Sequence, residues 1–125
     1  MQPLKATLRR QPGVAIIDLH GDIDGDSERV LEDAYTRAET HDPQAILLNF
    51  AGVDYINSKG IALIVVLLRR ATRSGRRLLA CALNDHYREI FQITRLSDYI
   101  DVCTDEKSGL ARARPLDTVL QASLG

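Results

Sequence analysis

Residues 53–64 read Val53-Asp54-Tyr55-Ile56-Asn57-Ser58-Lys59-Gly60-Ile61-Ala62-Leu63-Ile64, and the fold turns on where this stretch changes from strand to helix. Before it, residues 45–50 (Ala-Ile-Leu-Leu-Asn-Phe) are apolar with almost no alternation, the pattern of a strand covered on both faces. After it, residues 58–74 contain Ile64, Val65 and Val66, which by themselves would suit a strand. Their length, the Asn and Ser ahead of them, the arginines at their far end and Gly75 at the position after a helix stop favour a helix. Asn57 and Ser58 are thus expected at a helix N-terminus, with Ser58 as a cap. The unpaired N–H groups and the positive dipole end make this corner the place where an anion or a partner is expected.

Working outward, residues 77–83 repeat the buried-strand pattern, so strand, helix and strand form a crossover unit with parallel strands. Upstream, residues 4–10 and 14–19 are extended segments joined by Pro12-Gly13, a strong turn signal, and form a hairpin. Asp22, Asp24 and Asp26 superficially resemble a calcium loop but lack the closing Glu, so a strand-to-helix connection is expected. Asp26 or Ser27 then caps a helix to about Thr40, with Val30, Leu31, Ala34, Tyr35 and Ala38 along one stripe. Downstream, Asn84-Asp85 caps a helix over residues 86–95, residues 99–103 form a short edge strand, and Thr104 or Asp105 starts a helix to about Ala113. Leu116, Val119, Leu120 and Leu124 suggest a short amphipathic piece in a tail over residues 114–125. The whole is an α/β domain: a small mixed sheet of about five strands flanked by about four helices, with its core over residues 4–113.

Composition restricts function. The 125 residues suit one domain, and a net charge of -1 argues against nucleic acid as the main partner. The densest basic run, Arg69, Arg70, Arg73, Arg76 and Arg77, reads as the solvated end of a helix and the turn after it. Residues 61–68 are too short an apolar run to cross a bilayer and no signal-peptide pattern opens the chain, so a cytoplasmic protein without membrane insertion is expected. Cys81 and Cys103 belong to no CxxC pair and read as buried free thiols. The three histidines are scattered, and no phosphate loop, dinucleotide fingerprint, HExxH or nucleophile with its base is visible, so neither a cofactor nor catalysis is expected.

Three features of the central corner resist a purely structural account. Lys59 puts a cation in the first helical turn, where the dipole disfavours it by about 0.3–1 kcal/mol. Gly60 gives up roughly 0.5–1 kcal/mol relative to Ala, as is tolerated where something approaches the backbone closely. Tyr55 and Ile56 set apolar groups at an expected surface, unless Tyr55 packs down over the sheet. Local rules broken together mark a functional site.

Residues 54–62 resemble the signature of STAS domains, the bacterial anti-sigma factor antagonists and their relatives. The resemblance extends from Gly13 to about Ala113 and takes in Gly21-Asp22-Ile23-Asp24, the strand at 79–83 and residues 90–96. It implies a small sheet flanked by helices, no cofactor, no catalysis, and a serine-kinase anti-sigma factor as partner. In the family, the kinase phosphorylates a Ser or Thr at the start of the second helix, and the added charge of roughly -2 breaks the contact. The matching position here is Lys59, which cannot accept that phosphoryl group; Ser58, one residue earlier, is the candidate for a displaced acceptor, and Asn57 stands where the family has Asp. The expected partner surface is Asp54, Tyr55, Ile56, Asn57, Ser58, Lys59 and Gly60. The alternative is a phosphorylation-independent STAS subunit of a signalling scaffold or membrane-transporter assembly. The oligomeric state is not legible.

Overall fold

A computed structural model describes residues 2–114; the expected tail piece, from Pro115 on, lies outside the described residues. Strands β1 (Lys5–Gln11) and β2 (Val14–His20) form the expected hairpin around Pro12-Gly13, with Gly13 in the left-handed region that the turn requires (φ 76°). Helix α1 (Glu28–Glu39) leads to β3 (Ala45–Gly52), α2 (Ser58–Arg73) to β4 (Arg77–Cys81), and α3 (Asp85–Ile93) to β5 (Asp101–Cys103); α4 (Glu106–Ala113) follows. The sheet order is β1-β2-β3-β4-β5, antiparallel only at β1/β2, so β3 is central and parallel to both neighbours.

The unbroken apolar runs have a simple cause. Ile46, Leu48 and Phe50 of β3 meet α1, α2 and α3 through Leu31, Tyr35, Ile64, Leu67 and Phe91, whereas Ala45 and Leu47 point the other way, into a smaller cluster with Leu79, Cys81 and Ala113 of α4. Both faces of the sheet are covered, and so neither set of side chains is polar. Gly109 of α4 sits over Leu47, where a β-carbon would lie 3.0 Å from a Leu47 methyl. Cys81 and Cys103 are buried free thiols, and burial pushes the Cys81 thiol up to about 12.

Several boundaries differ from the sequence reading. Ser27 stands at the N-cap position of α1 but makes no side-chain cap there. The capping carboxylate is that of Asp24, not Asp26: it accepts from Asp26 N–H at 2.9 Å and closes a 3-10 turn, Gly25–Ser27, in front of the helix. Strand β4 stops at Cys81 instead of Leu83 because Ala82 adopts a left-handed conformation (φ 61°). Tyr99 is not in β5; a 3-10 turn, Leu96–Asp98, occupies the connection. The basic run is only partly solvated. Arg70 pairs with Glu39 at 2.5 Å and lies over the Tyr35 ring, Arg76 pairs with Asp42 at 2.8 Å, and Arg77 pairs with Asp101 at 2.7 Å. Among the described residues only Arg69 and Arg73 of the five have no carboxylate within 4.0 Å. No helix in the described residues is long and apolar enough to cross a membrane.

Candidate functional site

The corner between β3 and α2 is built by stitching one loop to another. Ile23, in the connection after β2, donates its N–H to the Tyr55 carbonyl at 2.9 Å and accepts from Asn57 N–H at 3.1 Å. Ile23 and Ile56 thereby form an isolated parallel bridge that continues the β2/β3 pairing beyond the sheet. Both side chains are buried. From below, the Tyr87 hydroxyl of α3 accepts the Ile56 N–H at 2.8 Å. A loop whose polar backbone is taken up in this way is fixed in place.

The first turn of α2 follows from one side chain. Asn57 has extended backbone angles, and its Oδ1 accepts from Gly60 N–H at 2.9 Å. Asn57 is therefore the cap, and Ser58, expected in that role, is the first helical residue with its hydroxyl exposed. Two cap-forming residues stood side by side, and only backbone geometry separates them. Among the described residues the N–H groups of Ser58 and Lys59 have no acceptor, the ordinary condition of a helix start.

Gly60 is buried, and a β-carbon there would lie 2.3 Å from the Ile23 carbonyl oxygen. The close approach that the glycine permits is thus internal, not that of a partner. Ile56 is likewise buried at 5% exposure and is a plug, not a surface contact. Of the irregular features read from the sequence, Lys59 and Tyr55 remain. Tyr55 is 45% exposed and does not pack down over the sheet. The stem of Lys59 runs beside Gly25, where a β-carbon would lie 3.0 Å from Cδ, and no carboxylate stands within 4.0 Å of its ammonium among the described residues. The surface presented is therefore Asp54, Tyr55, Ser58 and Lys59, with Asn57 half-buried between them. No three His, Cys, Asp or Glu side chains gather to hold a metal among the described residues. The arrangement suits recognition: an exposed hydroxyl, an unpaired cation and free N–H donors on a rigid frame.

Comparison with known proteins bears on this frame. The STAS domain family matches residues 5–109. The chain belongs to that family. This STAS domain is 31% identical over 101 residues to the anti-sigma-F factor antagonist RsfA of Mycobacterium tuberculosis, covering 79% of this chain and 77% of that protein. Its fold is shared with a crystal structure of an anti-sigma factor antagonist from Mycobacterium paratuberculosis (TM-score 0.74, 18% identity, 90% of this chain and 95% of that one). It is also shared with the phosphorylated form of SpoIIAA, a Bacillus cell fate determinant (TM-score 0.67, 20% identity, 87% and 99%). The mixed five-stranded sheet with four helices is thus the STAS fold.

The contributions of Ile23, Gly25 and Tyr87 to the STAS corner were not foreseen. Tyr87 lies 31 residues from Ile56, and no local spacing signals the pairing.

Proposed function

We propose that this domain is an anti-sigma factor antagonist that docks an anti-sigma factor through Asp54, Tyr55, Asn57, Ser58 and Lys59, and that it works by binding without turnover, in the cytoplasm. The observation that carries the reading is the corner itself, in which exposed polar and aromatic groups sit on a loop tied at both ends to the core. A preformed surface of this kind loses little freedom on binding. Aromatic and cationic side chains are the types that anchor interfaces.

The partner in this reading is a serine kinase, and its switch acts on Ser58. The hydroxyl is exposed on the first helical residue, next to the unpaired N–H groups and the Lys59 ammonium, which would steady a phosphate once formed. A charge of roughly -2 at the centre of the docked surface would then repel an acidic contact and add a desolvation penalty. Lys59 occupies the position where relatives carry the acceptor, so the acceptor is displaced by one residue and the corner is more positive.

Affinity capture from a lysate of the encoding organism tests this, with wild type beside Ser58→Asp and proteins identified by mass spectrometry. Wild type is expected to retain an anti-sigma factor with kinase activity, and Ser58→Asp to lose it. Retention of scaffold or transporter components by both, with no anti-sigma factor, would contradict the proposal.

A further inference from the structure

Helix α2 has a second surface beyond its N-terminus. Ala62, Val66, Arg69 and Arg73 recur at three- and four-residue spacing, so they share one stripe, and all are exposed. Along the far half of that stripe, Val65, Leu68, Arg69 and Arg73 form one wall of a groove of about 580 Å³, open on one side to solvent, whose other wall is Leu96 and Tyr99 with Arg95. Tyr99 is 74% exposed and neighbouring Ile93 69%, the two most exposed large apolar side chains of the described residues.

Charge and backbone both set this groove apart. Arg70, Arg76 and Arg77 are each paired, whereas Arg69 and Arg73 have no carboxylate partner among the described residues. Arg95 is paired with Asp98 at 2.9 Å, so the uncompensated charge at the groove belongs to Arg69 and Arg73. Arg95 also holds a left-handed conformation (φ 65°) at the residue after the α3 cap, a position that glycine fills at lower cost. A long cationic side chain is kept there against local preference.

We propose that this groove receives an acidic amphipathic helix of a protein partner, its apolar face on Val65, Leu68, Leu96 and Tyr99 and its carboxylates paired with Arg69 and Arg73. An apolar trough walled by a helix and a turn is the receiving half of helix-in-groove recognition. Arginines on the rim select carboxylates through two-pronged hydrogen bonds. A small amphiphilic anion is the poorer fit, because pockets for such ligands enclose most of the ligand surface and this one is widely open to solvent. The site is separate from residues 54–59 and stands whether or not they dock an anti-sigma factor.

The test is a titration of the full chain, followed by fluorescence polarisation, with a labelled synthetic helical peptide bearing leucines on one face and glutamates beside them, and with a twin in which every Glu is Lys. The Glu peptide is expected to bind at least tenfold more tightly than its twin and to weaken with added NaCl. Arg69→Glu with Arg73→Glu should reduce its affinity tenfold or more, Tyr99→Ala should also weaken it, and Lys107→Glu, on α4 across the sheet from α2, should leave it unchanged. Equal binding of the two peptides, an unaltered affinity in the double variant, or binding of sodium oleate with neither peptide overturns the proposal.

Discussion

The Tyr87 hydroxyl and the Ile56 N–H, 2.8 Å apart, join α3 to the loop that opens α2. Since the bond is buried, Tyr87→Phe leaves a donor without a partner and should destabilise the domain by about 1–3 kcal/mol. Urea denaturation gives the loss, and hydrogen exchange at the Ile56 amide should accelerate. Exchange as slow as in wild type would show that other contacts hold the loop.

Asn57 and Ser58 are neighbours with opposite expected responses. Asn57→Ala removes the cap on Gly60 and should cost about 1 kcal/mol, whereas Ser58→Ala touches no bond and should stay within about 0.5 kcal/mol of wild type. Thermal melts of the two variants separate capping from recognition, because the Ser58 hydroxyl is assigned to the partner alone.

Gly60→Ala forces a methyl against the Ile23 carbonyl oxygen, 2.3 Å from the ideal β-carbon. Backbone cannot give way as a side chain does, so a loss of about 1–3 kcal/mol is expected, with displacement of the 21–25 loop visible in amide chemical shifts. A stable variant with unchanged shifts would refute the stitched corner.

Tyr35 buries a hydroxyl with no hydrogen-bond partner among the described residues, and burial raises its phenol to about 12. Tyr35→Phe keeps the ring under Arg70 and removes the unpaired group. Stability should be unchanged or higher by up to about 1 kcal/mol in chemical denaturation.

Asp18 accepts from Arg9 at 2.6 and 2.8 Å and from Asn49 at 2.8 Å, and the guanidinium holds its carboxyl below the ordinary carboxylate range. A depressed folded value contributes stability above the ordinary carboxylate range, which is lost as pH falls through the folded value. Wild type should therefore lose stability on acidification into that window, and Asp18→Asn should show a shallower loss. Parallel denaturant series at several pH values read the difference.

Much of the fold was legible because its signals are local. Pro12-Gly13 marks the hairpin, two-sided apolarity marks β3, and Gly75 after an arginine-rich turn ends α2. At the corner between β3 and α2 the helix start was legible, but which of its residues are exposed was not. Gly60 breaks a helix rule for the sake of Ile23, and Ile56 is buried because Tyr87 reaches under it, both effects of residues distant in sequence. Two adjacent cap formers could not be ranked without backbone angles. β4 is shorter than its apolar run because Ala82 turns left-handed, a conformation no composition signals. For Lys59, the described residues set no carboxylate within 4.0 Å of the ammonium.

The most direct test of the docking claim is a titration of the captured anti-sigma factor with wild type, Lys59→Glu and Ser58→Asp, with thermal melts alongside. Lys59→Glu replaces a cation by an anion at a helix N-terminus, so its stability should be equal or higher by about 0.3–1 kcal/mol. The account predicts at least tenfold weaker binding for both variants, about 1.4 kcal/mol or more, on folds that melt no lower than wild type. Wild-type affinity in both would contradict it and remove the corner from the interface.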